Sequence, residues 1–178
     1  QNNYAIRLNL MYGIIYDITW KNAGTVLTIA TPQGVYIGDL SDLPTSGAQL
    51  SDIENSFTFI EPAWQPFTIS WRSDDRHLAI GDILGNIDIY DEYENSFTVL
   101  RTSTDFSTRS GATDIAWSPN GDAIAYTTTY GARVFFNTGT DTPAFVELRE
   151  GVFKGLSWSP GGRFLAAEAE ENVWWVYR

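Results

Sequence analysis

Four tryptophans recur along the chain in the same local setting. Trp20, Trp71, Trp117 and Trp158 each end a short apolar run. An aliphatic residue follows each of them after seven positions and a turn residue after fourteen: Leu27, Leu78, Ile124 and Leu165, then Gly34, Gly85, Gly131 and Asn172. The tryptophans are 51, 46 and 41 residues apart, a period typical of a supersecondary unit with loops of variable length. The chain is therefore predicted to contain one structural unit four times.

Each unit has the pattern of β-strands. Apolar residues alternate in Ile14–Trp20 and in Asn86–Ile89, which is the two-residue period of a half-buried strand. Aromatic residues make up 15% of the chain, and they favour pleated sheets. The predicted inner strand ends at the tryptophan, and predicted outer strands cover Ser56–Ile60, Ser96–Leu100 and Ala144–Leu148. A small residue lies eight positions after each tryptophan, where neighbouring sheets could approach closely: Thr28, Ala79, Ala125 and Ala166. We therefore predict an all-β fold.

Units two to four resemble the repeats of a known family, and the first unit resembles them more weakly. Segments 117–125 and 158–166 both start with Trp-Ser-Pro, carry a Gly-containing turn and end with an aliphatic residue and Ala. This pattern is similar to the signature of WD40 β-propeller repeats and to the turns of TolB-like propellers, and Gly85–Asp91 resembles the third strand of a WD40 blade. The resemblance implies a β-propeller of four four-stranded antiparallel blades.

The chain also departs from the regular WD40 repeat. It contains no Gly-His or Trp-Asp dipeptide, and His77 is the one histidine in the sequence. The buried Asp-His-Ser-Trp network that the resemblance would imply therefore cannot recur from blade to blade. We expect degenerate blades held mainly by aromatic and aliphatic packing.

A count of the predicted strands leaves two architectures open. Residues 1–178 are predicted to form a single propeller domain with blade units at about 14–60, 67–100, 112–148 and 153–178. The last unit lacks a fourth strand, which residues 4–10 could supply. The chain could thus close as a four-bladed ring, or it could form an open half-ring of a larger propeller. An open half-ring would expose apolar faces between blades, and pairing of copies would cover them.

Composition disfavours several classes of function. The formal net charge of −11 disfavours nucleic acids and anionic membrane surfaces as partners. No apolar stretch approaches the ~18 residues of a membrane span. The chain has no cysteine, and no second histidine accompanies His77 to build a metal site or a nucleophile-base pair. Neither catalytic residues, nor a metal site, nor a cofactor are therefore expected.

The predicted functional surface is the propeller face on which loops from every blade meet. On the family's topology this face carries Trp64, Tyr130, Asp82 and Glu170, and exposed aromatic residues are favoured contact anchors. The expected function is a non-catalytic scaffold that binds a protein partner, including copies of itself. Two alternatives are an accessory or substrate-gating propeller of a larger enzyme and a secreted sugar-binding propeller.

Localisation is predicted from the start of the chain and its composition. The chain begins at Gln1, is acidic and lacks cysteine. These features fit a secreted bacterial protein after signal cleavage, and an excised cytoplasmic fragment is the alternative.

Overall fold

The computed structural model describes residues 13–42, 56–100, 111–136, 144–170 and 173–178. These residues form four antiparallel sheets, which we call blades 1 to 4. Blade 1 contains β1 (Asp17–Trp20), β2 (Val26–Thr31), β3 (Gly34–Asp39) and β4 (Phe57–Ile60). Blade 2 contains β5 (Pro66–Trp71), β6 (His77–Asp82), β7 (Ile87–Asp91) and β8 (Ser96–Leu100). Blade 3 contains β9 (Ala112–Trp117), β10 (Ala123–Thr128), β11 (Gly131–Phe136) and β12 (Ala144–Glu150). Blade 4 contains β13 (Phe153–Trp158), β14 (Leu165–Ala169) and β15 (Trp174–Tyr177).

The strands of every blade pair in chain order. The inner strands β1, β5, β9 and β13 lie side by side, so the blades follow one another around a common axis. Three blades have four strands, and blade 4 has three within the described part of the chain. The predicted completing strand at residues 4–10 lies outside the described residues. The expected all-β propeller of four blades is confirmed.

One turn conformation recurs after each inner strand. The fourth residue after the tryptophan has a positive φ in all four blades: Gly24 (79°), Asp75 (55°), Gly121 (74°) and Gly162 (68°). Glycine adopts this left-handed conformation without the steric penalty of a Cβ atom. In blade 2 this residue is Asp75 rather than a glycine. The carboxylate of the preceding Asp74 stabilises the turn by accepting hydrogen bonds from the backbone N–H groups of Arg76 at 2.9 Å and His77 at 3.1 Å.

Each blade packs one face on the preceding blade and the other on the next. We call the side that carries the repeated tryptophan the leading face, and the opposite side the trailing face. Directly paired residues of antiparallel strands share a face. The trailing face of blade 1, with Ile37, packs against Ile69 and Trp71 of blade 2. The trailing face of blade 2, with Ile89, packs in the same way against Trp117 of blade 3.

In blades 1 to 3, the small residue eight positions after the tryptophan lies opposite the indole of the next blade. The indole N–H of Trp71 donates to Thr28 Oγ1 at 2.8 Å. Ala79 occupies the position of Thr28 in blade 2, and among the described residues the buried indole N–H of Trp117 has no acceptor. The prediction that these positions allow close approach agrees with the complete burial of Thr28, Ala79 and Ala125.

Short polar side chains of the inner strands connect neighbouring blades. Asp17 accepts from the backbone N–H of Ile69 at 2.8 Å, and Asp114 accepts from that of Leu156 at 2.8 Å. Between blades 2 and 3, Ser70 Oγ accepts from the backbone N–H of Trp117 at 3.1 Å. These bonds provide polar connections that do not require the histidine of the regular repeat.

Candidate functional surfaces

Among the described residues, no blade lies against the leading face of blade 1. Ile18 and Trp20 occupy the positions of Ile69 and Trp71 in blade 2. The two residues of blade 2 are 4% and 7% exposed, whereas Ile18 and Trp20 are 52% and 50% exposed. The residue types are identical at both positions. The difference in exposure therefore follows from the absence of a neighbouring blade among the described residues.

The trailing face of blade 4 is uncovered in the same way. Val176 of β15 occupies the position of Ile89 in blade 2. Ile89 is 7% exposed and Val176 is 69% exposed. Trp174, on the same face, is 60% exposed. Both ends of the blade series therefore present large apolar side chains to solvent, and we call these two surfaces the terminal faces.

Within the part of the chain that the structure describes, the two terminal faces do not meet. Contacts join β1 to β5, β5 to β9, and β9 to β13, but among the described strands no comparable contact joins β13 to β1. Of the two predicted architectures, the described residues show the open one, an arc of four blades with an apolar face at each end.

A loop rim runs along one edge of the arc. It contains the turns between second and third strands and the links that lead into the next blade. The two kinds of segment hydrogen-bond to each other: the backbone N–H of Ile83 donates to Gln65 O at 3.2 Å, and that of Gly151 donates to Tyr130 O at 2.9 Å. In blades 2 and 3, the turn is therefore joined to an adjacent link between blades.

Three of the four predicted binding residues are exposed on the loop rim. Trp64, Tyr130 and Glu170 all face solvent. Asp82 is buried, and its carboxylate accepts hydrogen bonds from the backbone N–H groups of Leu84 at 2.7 Å and Asn86 at 2.9 Å. Asp82 therefore stabilises its own turn and offers no contact surface, whereas its neighbour Ile83, which the sequence analysis did not select, is exposed.

On the opposite edge, a cation covers the tryptophan of the next blade at two interfaces. Lys21 Nζ lies 4.4 Å from the ring centroid of Trp71, and the guanidinium of Arg72 lies 5.3 Å from that of Trp117. Both cations directly follow a repeated tryptophan in sequence, and a cation over an indole ring is stabilising. Ser118 holds this position at the third interface, so the chain supplies no equivalent cation to Trp158 there.

A cavity of about 340 Å³ lies at this third interface. Its wall includes Ser118 and Ala123 from blade 3 and Trp158 and Tyr177 from blade 4. The Tyr177 hydroxyl oxygen is buried and has no hydrogen-bond partner among the described residues. Burial also raises the pKa of the Tyr177 phenol. The volume falls in the range of small-molecule sites.

Two carboxylates lie between blades, Asp88 buried and Asp114 partly buried. Burial raises the pKa of Asp88 to about 6, and the nearby charge of Asp82 raises it further. One oxygen of Asp88 has no hydrogen-bond partner within the described part of the chain. Burial also raises the pKa of Asp114 to about 6, although two backbone N–H groups bind its carboxylate. Asp88 therefore lacks the compensation that Asp114 receives.

The single histidine forms part of a surface turn. His77 Nδ1 lies 2.7 Å from Asp74 Oδ2, and His77 Nε2 lies 3.5 Å from Asp91 Oδ2. The Arg76 side chain donates to Asp91 and holds the pKa of that carboxyl well below its usual range. In the ranges described above, no group of three or more His, Cys, Asp or Glu residues is arranged to hold a metal ion. No helix in those ranges is long and apolar enough to span a membrane.

Comparison with known proteins identifies the fold. No protein-family model and no curated protein matches the chain. Among solved structures, the β-propeller domain of Myceliophteria thermophila Cps50 (Swd1) superposes with a TM-score of 0.72 at 13% sequence identity. The match covers 92% of this chain and 51% of that domain. The chain thus has a WD40-like propeller fold and spans about half the length of the solved propeller.

Proposed function

We propose that the chain is a non-catalytic assembly scaffold of the WD40 type, whose terminal faces bind propeller blades of a second copy. The observation that carries this proposal is the exposure of Trp20, Trp174 and Val176, which occupy positions that are buried between blades elsewhere in the chain. Large exposed apolar patches mark interaction sites on soluble proteins. A leading face is the natural partner of a trailing face, because this pairing occurs at all three interfaces of the chain.

The solved propeller supports a second copy as the partner. The chain matches about half of that domain, so a second copy would add a comparable share of a ring. In such a pair, each leading terminal face would meet the trailing terminal face of the other copy. The assembly is closed and symmetric, as most homo-oligomers are.

A charged residue in the terminal face tests this assembly. The Val176→Glu variant places a carboxylate where the partner's leading face would exclude water, so we expect it to abolish association. In sedimentation at several concentrations, the unmodified chain should reach twice its mass of 19.9 kDa, and the variant should remain monomeric. Val99→Glu, at a valine of β8 that is 58% exposed outside the terminal faces, should still associate. An unmodified chain that stays monomeric at every concentration would contradict the proposal.

The loop rim is proposed to bind a protein partner of the assembled scaffold. Trp64, Ile83 and Tyr130 present apolar surface there, and Glu170 adds a negative charge. Aromatic side chains on a rigid support lose little conformational entropy on binding and often contribute most of the affinity.

A peptide selection tests the loop rim. Peptides selected from a displayed library on the unmodified protein should lose about tenfold or more affinity for Trp64→Ala and Tyr130→Ala, because each change removes an aromatic anchor. Tyr93 is 82% exposed in the turn after β7, on the opposite edge, and Tyr93→Ala serves as the control. Selected peptides that lose affinity for Tyr93→Ala but not for the two rim variants would bind the opposite edge, which would contradict the proposal.

A further inference from the structure

The cavity between blades 3 and 4 arises from small residues at two positions of the repeat. The residue after the tryptophan is Lys21 in blade 1 and Arg72 in blade 2, but Ser118 in blade 3. The first residue of the second strand is Val26 in blade 1 and His77 in blade 2, but Ala123 in blade 3. Val26 packs into the first interface, whereas Ser118 and Ala123 line the cavity. The third interface therefore lacks the side-chain volume of the other two at both positions.

The ring of Trp158 lacks the cation that the preceding blade places over Trp71 and Trp117. Lys21 lies over Trp71 and Arg72 over Trp117, and the same geometry at the third interface would put a cation inside the cavity, over Trp158. Asp122 lines the cavity and carries a negative charge. An indole face and a carboxylate are groups that recognise an organic cation.

Two arginines also line the cavity. Arg163 and Arg178 belong to its wall, together with Asp122. The guanidinium of Arg163 lies 5.3 Å from the Phe164 ring. The two arginines would repel a ligand that carries only a cation. A carboxylate on the same ligand would bind an arginine and offset this repulsion.

We propose that this cavity binds a small guanidinium compound that also carries a carboxylate, with the guanidinium over Trp158 and the carboxylate near the two arginines. The ligand's cation takes the place over Trp158 that Lys21 takes over Trp71 and Arg72 takes over Trp117. L-arginine has both groups and fits a cavity of about 340 Å³.

Calorimetric titration of the full chain with three related ligands tests the roles of the ligand's cation and carboxylate one at a time. L-arginine is expected to bind. L-citrulline, which replaces the guanidinium with a neutral group of similar shape, should bind about tenfold or more weakly because it loses the cation-π contact. Agmatine, which lacks the carboxylate, should also bind more weakly than L-arginine. Equal affinities for L-arginine and L-citrulline, or no binding of L-arginine, would overturn the proposal.

A variant that fills the cavity provides the decisive control. Ser118→Arg restores the side chain that Arg72 places over Trp117 and should abolish L-arginine binding. Ser118 Oγ accepts from the backbone N–H of Ala123 at 3.0 Å, so the variant also loses a turn hydrogen bond. Ser159→Arg loses the equivalent bond to Phe164, also 3.0 Å, but Ser159 is not part of the cavity wall. Ser159→Arg should bind L-arginine normally, and L-arginine binding that survives in Ser118→Arg would exclude the cavity as the site.

Discussion

Replacing Asp88 with asparagine is expected to raise the free energy of unfolding by about 2–3 kcal/mol above pH 7. Asp88 is buried on the leading face of blade 2, in register with Ile80 and Val99, and one of its oxygens has no partner within the described residues. The folded chain therefore pays the desolvation of a carboxylate without compensating hydrogen bonds. Asparagine has a similar shape and removes the charge.

The effect should depend on pH in a defined direction. The pKa of Asp88 is about 6 in the folded chain and 3.8 in its reference state. Between these values the folded chain binds more protons than the unfolded chain, so the free energy of unfolding falls as pH rises. Urea unfolding of Asp88→Asn and of the unmodified protein should agree near pH 4 and diverge up to about pH 7. Asp42→Asn, at an exposed acid, is the control. A difference that stays constant from pH 4 to pH 8 would show that Asp88 does not titrate in this range.

Replacing Ile89 with glutamate is expected to lower the free energy of unfolding by about 3–5 kcal/mol. Ile89 is buried between blades 2 and 3, in the same cluster as Ile115 and Trp117. A carboxylate at this position would lose its water in an apolar cluster. Urea or thermal unfolding measures the loss of stability. A loss of this size is a large fraction of the total stability of a domain, so the variant can fail to fold.

Val176→Glu is the matched comparison, because Val176 occupies the register position of Ile89 in blade 4. Since Val176 is 69% exposed in the single chain, its replacement should change monomer stability by no more than about 0.5 kcal/mol. The measurement is made at concentrations where the chain is monomeric. Similar losses for Ile89→Glu and Val176→Glu would mean that the trailing face of blade 4 is covered within the single chain.

The repeat in the sequence was sufficient to predict the strands and their order. The predicted outer strand Ser96–Leu100 is β8, and the predicted strand Ser56–Ile60 differs from β4 by one residue. These predictions succeed because alternation of apolar residues and turn residues depends on local chain geometry. The close approach at Thr28 and Ala79 was also predictable, since only small residues fit against the indole of the next blade.

The candidate site was less predictable. Asp82 was predicted to lie on the loop face because the family's topology places its turn there, yet its carboxylate accepts hydrogen bonds from the backbone of its own turn. The burial of Asp88 depends on the neighbouring blade, as does the position of Lys21 over Trp71. Such contacts between distant parts of the chain leave no local pattern. The sequence shows Ser118 at the position that Arg72 occupies in blade 2. It does not show that this difference contributes to a cavity between blades 3 and 4.

Pairing of the two terminal faces is the central claim, and disulfide formation between single-cysteine variants tests it most directly. The chain has no cysteine of its own, so introduced thiols report only on their own positions. Ile18→Cys places a thiol on the leading terminal face, and Val176→Cys places one on the trailing terminal face. Tyr93→Cys, at a highly exposed turn residue, reports random collision.

Under mild oxidation, an equal mixture of Ile18→Cys and Val176→Cys chains should give covalent dimers that contain one copy of each variant. Either variant alone, and mixtures with Tyr93→Cys, should give few dimers, because two leading faces or two trailing faces do not pack together. Mass spectrometry identifies which chains are joined. A mixed dimer in excess of the collision control is the result that this account predicts. Mixed dimers no more frequent than the self-dimers of each variant would contradict it.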